Sequence, residues 1–552
     1  MTAVEKHSGP SQSEIDAPLS ATGDLQPEKQ VNINTGNGDT LAGWRLTLLT
    51  IGLCLSVFLS ALDITIVSTS LTAIANDLQA FEKSSWVVSS YLTSYFSFLI
   101  IWAKLSDFFG RKLMLVAALV LFLVFSGGCA GAKSTIQLIM FRAFQGVGGA
   151  GIFSMAPIIV AEMVTPEKYG AYNGIISLAI AFSFLLGPLF GGAITDGTSW
   201  RWIFYINLPV GFVALGLVLL AMPVSFPDVS QTQSFSLIHK KIDWKGQVDY
   251  PGFFLLLAAC VLLIVAIEEA GISFSWSSAL VITCLVLAAV LLCMFFAWQW
   301  LLYRRKSTRE PVFPWTFMKN RVLMGMYLNA ILSGVPFVTL VLEMPLRFEN
   351  VNNSSAVLSG VRILPYTMTI ALGSALTGGL TARGRVPPIF VLCTATILQL
   401  LGVGLLYSIP VDTNLPAKLY GYQVLAGLGV GLSLTTLLNI VPFIVDKSVL
   451  SVAMGGVTQL RILGGALGVS IATNLLNNTA KSQLRTQLPT DVISKILANA
   501  SYVNTLPRSD QELVREAFAD GFHKQLLMIL AFCAAEVLAL VLIWERPARR
   551  LA

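Results

Sequence analysis

A chain of 552 residues that is 55% hydrophobic and only 12% charged, with mean hydropathy +0.73, is not an ordinary soluble protein, because soluble chains carry about twice that charged fraction. Its net charge of +6 comes from positive residues spread through short loops rather than a basic patch interleaved with aromatics, which argues against nucleic acid as a partner. The seven cysteines all lie in apolar runs without CxxC spacing, and His7, His239 and His523 all lie in polar segments; a zinc site, another metal site and a disulfide framework are therefore not expected.

Residues 1–43 are polar and rich in Ser, Asp, Glu, Gln and Gly; they read as a disordered cytosolic tail with no cleavable signal peptide. Apolar runs of about 18 to 25 residues then give fourteen candidate membrane spans. They fall near 45–72, 86–104, 113–132, 136–161, 171–194, 202–223, 249–269, 278–300, 323–345, 355–381, 387–409, 417–443, 449–475 and 525–544. Six precede the polar segment around Ser225–Gln247, two follow it, and six come after the basic connection Tyr303–Arg321. This division predicts an all-α membrane protein with two six-helix bundles, over 44–225 and 303–545, and a cytosolic segment with two inserted central helices over 226–302. Residues 477–524 are expected to form an extracellular loop with a short surface helix around Asp510–Ala519, and 546–552 a cytosolic tail.

Lys104, Arg111, Lys112, Lys168, Arg304, Arg305, Arg383 and Arg385 gather on one side of this topology, which the positive-inside rule makes cytosolic, with both termini. The glycosylation sequons at Asn352, Asn353, Asn477 and Asn499 then all fall on the other side, Asn477 close to the membrane.

Four strings within or between the spans carry candidate chemistry. Span one contains Leu62-Asp63-Ile64-Thr65-Ile66-Val67, whose Asp63 is a candidate for handling protons, or else a structural Asp bonded to helix ends. Between spans two and three stands Ala103-Lys104-Leu105-Ser106-Asp107-Phe108-Phe109-Gly110-Arg111-Lys112. An Asp four residues before an Arg, across a turn closed by Gly110, can latch two helix ends; a solvated loop whose positives fix topology is the alternative. Span four contains Arg142-Ala143-Phe144-Gln145-Gly146-Val147-Gly148. An arginine at membrane depth costs roughly 2.5–3.5 kcal/mol and so needs a partner, unless it snorkels from near a helix end. Span five carries Gly187-Pro188-Leu189-Phe190-Gly191-Gly192. Neighbouring helices can satisfy the backbone that a proline frees, and the glycines let another helix approach or slide past; static small-residue packing would look the same.

Other acidic groups are less informative. Glu162, Glu268, Glu269 and Glu343 lie near span ends, where hydration is expected, and Glu536 lies midway along span fourteen, as a functional carboxylate or a polar packing contact. Gly127–Thr135 imitates a phosphate-binding loop but has Ala132 where that loop needs glycine before Lys133, so no nucleotide hydrolysis is expected.

Taken together, the strings resemble the major facilitator superfamily. The loop of Asp107, Gly110, Arg111 and Lys112 is similar to its G-x-L-x-D-x-x-G-R-K signature, with Ala103 in place of the first glycine. Arg142 to Gly148 resembles its R-x-x-Q-G-x-G motif, whose arginine is associated with proton coupling. Gly187, Pro188, Gly191 and Gly192 resemble the motif usual in its exporters, with Ser183 replacing an upstream glycine. Leu62–Val67 and Trp200-Arg201-Trp202-Ile203-Phe204-Tyr205-Ile206-Asn207-Leu208-Pro209 are similar to strings of fourteen-span drug:proton antiporters, and the resemblance, covering about 44–545, is nearest to fungal exporters of toxins and secondary metabolites.

The resemblance implies a major facilitator fold working by alternating access: a proton-coupled antiporter of small hydrophobic organic compounds, with Asp63 and Arg142 in proton coupling. It implies no enzyme activity, no catalytic residue and no cofactor beyond the proton gradient. A glycosylated monomer in the lipid bilayer of the plasma membrane is expected, with a vacuolar or vesicle membrane as the alternative. A fourteen-span siderophore:proton importer is the rival reading, and a membrane acyltransferase is disfavoured by the placement of the histidines.

Overall fold

A bilayer offers backbone N–H and C=O groups no partner outside their own chain, so long apolar runs can cross it only as helices or closed barrels. The computed structural model describes residues 41–552 apart from 79–84, 166–167, 224–225, 227–247, 272–273, 306, 308, 382–384, 411–414, 490–491, 494–495, 498–501, 504–505 and 551–552. Among the described residues the principal elements are α1 (Gly43–Thr69), α2 (Ser85–Phe109), α3 (Arg111–Ala130), α4 (Thr135–Met163), α5 (Tyr169–Gly197), α6 (Asn207–Ala221) and α7 (Tyr250–Glu269). They continue with α8 (Ala279–Arg304), α9 (Arg321–Asn350), α10 (Leu364–Thr381), α11 (Pro388–Tyr407), α12 (Lys418–Ile440), α13 (Leu450–Leu484) and α14 (Arg508–Ile543).

Among the described residues, thirteen stretches are long and apolar enough to cross a membrane, counting Trp202–Ala221 as one crossing through its turn at Ile206. The tenth expected span, 355–381, is broken. A short helix, Ala356–Arg362, ends at Ile363, and α10 restarts at Leu364. Pro365, the second residue of α10, lacks the N–H that an unbroken helix would bond to the Val361 carbonyl, and its ring crowds that carbonyl. The segment expected as a loop over 477–524 is largely helical. α13 runs on to Leu484, so Asn477 lies inside it, and the expected surface helix forms the first turns of the continuous α14. Apolar residues explain the extension: Ala480, Leu484, Val514, Phe518 and Phe522 close a small core of their own.

The second bundle repeats the packing of the first. α1 packs on α5 and α6 as α9 packs on α13 and α14, and α4 packs on α2 and α3 as α12 packs on α10 and α11. Close backbone approaches fix the register. A Cβ on Gly146 would strike the Tyr91 carbonyl and Ser94, and one on Gly427 the Tyr366 carbonyl and Thr369. Likewise Gly148 lies on Ala118 and Phe122, and Gly429 on Ala395 and Gln399. Tyr91 Oη donates to the Ser60 carbonyl at 3.1 Å, and Tyr366 Oη to the Pro336 carbonyl at 2.8 Å.

The hairpin α7–α8 lies outside this repeat, docked through α7 on α2 and α13. Asp249 anchors it, accepting from Gly252 N (2.9 Å), Trp298 Nε1 (2.7 Å), Gln299 Nε2 (2.8 Å) and Val312 N (3.4 Å). A wholly buried carboxylate is tolerable when donors surround it in this way.

Two seams join the bundles, and the repeat relates them: α2 meets α13, and α5 meets α10. Both lie toward the helix ends that carry Lys104, Arg111, Lys168 and Arg385. At the first, a Cβ on Gly455 would stand 2.9 Å from that of Ala103. At the second, Gly170 lies against Gly378, and Gly174 against Ala375.

Candidate functional site

Charged side chains at membrane depth must find each other, and on α1 and α4 they do. Asp63 and Arg142 are wholly buried, and Arg142 Nη1 donates to Asp63 Oδ2. The second carboxylate oxygen accepts from Gln145 Nε2 at 3.0 Å and Asn207 Nδ2 at 3.1 Å. Both amides also donate to Ser126 Oγ on α3, at 2.7 and 3.2 Å. Arg142 Nη1 donates to Gln145 Oε1 (2.8 Å) and its Nε to the Val87 carbonyl (3.1 Å), and the guanidinium lies 4.1 Å over the Tyr91 ring. Arg142 Nη2 and Asn207 Oδ1 remain buried without a partner. Sequence reading found the two charges and missed Ser126, Asn207 and Gln145 as their partners. Gln145 had a usable signal, since it lies three residues after Arg142 on the same helix face.

The charge site occurs in one bundle only. The register places Gln423 where Arg142 stands and Ala426 where Gln145 stands. One half of a duplicated scaffold thus carries an ion pair that the other half folds without.

The exporter-like string lies against this site. Gly187 of α5 packs directly on Thr65, two residues from Asp63, and a Cβ there would strike the Thr65 hydroxyl. Ser70 Oγ donates to the Gly191 carbonyl at 3.3 Å and pairs with Thr195 Oγ1 at 2.8 Å. Gly192 faces open space, and Pro188 lies within the continuous helix α5.

The latch string is built out further than its sequence suggests. Gly110 adopts φ 87°, a left-handed conformation that glycine takes without strain, and so turns α2 into α3. Arg111 bonds Asp107 (2.6 Å), Ser106 Oγ (2.7 Å), Glu162 of α4 (2.7 Å) and Ser451 Oγ at the start of α13 (2.7 Å). The Ser451 hydroxyl in turn donates to Asp107 Oδ1 at 2.6 Å, which ties the first bundle to the second. Lys112 is not in the latch. Its ammonium donates to the Leu219 and Met222 carbonyls at the end of α6 (2.9 and 2.5 Å), where the helix dipole favours a cation. Lys104 pairs with Glu310 at 2.9 Å.

Two expectations of hydration fail. Glu343 is buried and accepts from Gln525 Nε2 at 3.1 Å, and Glu269 is buried with neither carboxylate oxygen partnered. Of the sequons, Asn353 is exposed at φ 50° in the turn after α9, Asn352 is half-buried, and Asn499 lies outside the described residues.

Between the bundles, Ser177, Ile180 and Phe184 of α5, Phe337 and Val341 of α9, and Thr367 of α10 line a cavity of about 20 Å³. That holds about one water, against roughly 300–1,000 Å³ for an organic ligand, so this is a closed arrangement. A groove of about 440 Å³ between α2 and α7, lined by Phe98, Phe108, Tyr250 and Phe254 among others, offers almost no polar surface to orient a ligand.

Comparison with known proteins agrees with this architecture. Residues 53–272 match the Major Facilitator Superfamily. The chain is 42% identical over 508 residues to the MFS-type transporter FPY5 of Fusarium mangiferae, covering 92% of this chain and 85% of that one. It is 32% identical over 461 residues to the MFS thioclapurine efflux transporter tcpA of Claviceps purpurea, covering 83% and 82%. The crystal structure of the human organic anion transporter MFSD10 superposes with TM-score 0.54 at 13% identity, over 89% of this chain and all of that one. With two six-helix bundles, an inserted hairpin and these relatives, the chain belongs to the major facilitator superfamily of membrane transporters.

Proposed function

We propose that this transporter is a proton-coupled exporter of small hydrophobic organic compounds, working as an antiporter in the plasma membrane with both termini in the cytosol. The observation that carries the reading is the Asp63–Arg142 pair, present in one bundle, whereas the other has the uncharged Gln423 in the place of Arg142. A buried carboxylate beside an arginine is what a protein needs to take up and release one proton per cycle. Protonated Asp63 would free Arg142 to keep its bonds to Gln145 and Val87 O, and α5, seated on Thr65 through Gly187, would respond to the change. Export is favoured by the names of similar proteins: besides the thioclapurine efflux transporter, the chain is 31% identical over 507 residues to the efflux pump dotC of Dothistroma septosporum. A cavity lining of Ile180, Phe184, Phe337 and Val341, with Ser177 and Thr367 as its polar groups, suits a neutral apolar substrate once the bundles part.

The proton gradient is sufficient. About 2.3 kcal/mol per charge per 100 mV and about 1.4 kcal/mol per pH unit together sustain roughly a 500-fold gradient of a neutral compound. The test is accumulation of a panel of lipophilic toxins in cells expressing the protein, with and without a protonophore. Lowered accumulation that the protonophore restores supports the reading; raised accumulation that it abolishes makes the protein an importer.

A further inference from the structure

Glu536, about two turns from the C-terminal end of α14, is another wholly buried carboxyl, and the Asp63 site makes no use of it. Its Oε2 accepts from Thr396 Oγ1 at 3.1 Å and from Gln399 Nε2 at 3.3 Å, both on α11. Its Oε1 is buried without a partner, as is Oε1 of Gln399. Of the helices packed on α14, α13 contributes Arg461, close enough for its charge to act on Glu536 yet donating instead to the Leu434 carbonyl at 3.3 Å. α11 contributes Thr396 and Gln399, which do not titrate, and α9 contributes no charge acting on it. Cys533, buried one turn away on α14, is the titratable neighbour on its own helix.

The repeat shows that packing does not require this group. Leu217 and Val218 meet Gly52 as Leu542 and Ile543 meet Gly325, which puts Gly211 of α6 in the place of Glu536. Leu119 and Phe122 of α3 then stand where Thr396 and Gln399 do, and Gly211 packs on Leu123. The first bundle's polar bonds between the same two helices, Asn207 to Ser126 and Lys112 to the Leu219 and Met222 carbonyls, lie elsewhere along them. At this place it makes the helix contact from apolar groups. A carboxyl placed there is costly unless neutral or fully paired, and Glu536 is not fully paired.

Resting on the reading of a proton-coupled transporter, we propose that Glu536 is a second proton-binding site, in the C-terminal bundle, occupied by a proton in the closed arrangement. In the acid form, Oε2 serves as the carbonyl acceptor of two donors and Oε1 carries the proton. Loss of that proton to water leaves a carboxylate whose Oε1 has no donor, and the cation whose charge acts on it is Arg461. Arg461 lies on the same helix as Ser451 and Gly455, within three turns of the α2 seam. Ionisation at Glu536 therefore pulls on the helix that holds the bundles together.

The test uses the full-length protein in proteoliposomes and the variant Glu536→Gln, which keeps the acceptor and cannot titrate. Infrared difference spectra should show a protonated carboxylic-acid C=O band, shifted in D2O, that is lost in Glu536→Gln. The variant should also lose part of the pH dependence of transport while unfolding at the wild-type temperature. Thr396→Val, which keeps the carboxyl and removes one donor, should move the same band, and it decides the matter if Glu536→Gln does not fold. A carboxylate band at every pH tested, or a wild-type pH profile in Glu536→Gln, overturns the proposal. Wild-type transport indifferent to protonophore overturns the reading of proton coupling instead, and the infrared result still decides whether Glu536 binds a proton.

Discussion

Gly170 on α5 and Gly378 on α10 touch backbone to backbone, so that a Cβ on Gly378 would stand 2.7 Å from the Gly170 Cα and 2.8 Å from Ala171 N. Backbone cannot yield as a flexible side chain does. Overpacking of this kind costs typically about 1–3 kcal/mol, and if it falls only on the closed arrangement it lowers that population roughly 5- to 150-fold. Gly378→Val should therefore reach the membrane but rest with this seam parted. A cysteine at Ser177, in a cysteine-less background, should then react faster with a thiol reagent supplied from the side of Arg111. Equal reactivity in the two backgrounds would mean that the seam does not close the cavity.

Much of this architecture is legible in the sequence because membrane depth imposes two strict demands. A span needs about twenty apolar residues, so all fourteen runs stand out, although the break at Ile363 that shortens the tenth does not. A buried charge needs a partner, so Asp63 and Arg142 point to each other across the chain. The contacts between bundles carry no such mark. Gly170 and Gly378 are two of 44 glycines, and nothing local distinguishes them. Ser451 is an ordinary serine until the fold places it between Asp107 and Arg111. Lys112 shares a signature with Arg111 yet turns to the end of α6, because its backbone position faces that helix and not α13.

The Asp63–Arg142 pair separates function from stability. Breaking a buried ion pair from one side costs about 3–5 kcal/mol, because the remaining charge loses its compensation, whereas removing both charges together costs far less. Asp63→Asn should abolish proton-driven transport and lower the unfolding temperature in detergent. Asp63→Asn with Arg142→Gln should recover most of that temperature and no transport. Proton-driven efflux at the wild-type rate in Asp63→Asn would remove Asp63 from the coupling mechanism.

Acid should act on a separate contact outside the membrane-spanning segments. Asp77, in the short helix Leu71–Asp77, accepts from Trp200 Nε1 at 2.9 Å and Arg201 Nη1 at 2.8 Å. These two donors hold its carboxyl below the ordinary value of 3.8. A depressed folded-state value means stability that is present above about pH 3.8 and lost as pH falls through the folded value. The gain is small, since the pair is half exposed and screened by solvent. Wild type should lose slightly more stability than Asp77→Asn on acidification from pH 5 to about pH 3, read as unfolding temperature in detergent; parallel losses would show the contact to be without weight.

The latch makes the sharpest claim about cooperation between bundles, because Ser451 touches both members of an ion pair that belongs to the other half. Residues in one hydrogen-bonded network couple by about 0.5–3 kcal/mol, whereas independent sites add. Removing the Asp107 side chain (Asp107→Ala) leaves Arg111 paired with Glu162, so the first bundle keeps an ion pair while the contact to α13 loses one of its two bonds and keeps that of Arg111 to Ser451. Ser451→Ala removes the same contact from the other side. Each single substitution should slow transport, and the double substitution should slow it hardly further than Ser451→Ala alone, which removes both bonds. Strictly additive effects on the transport rate would mean that Asp107 and Ser451 act on different steps, and that the contact seen between them does not hold the bundles closed.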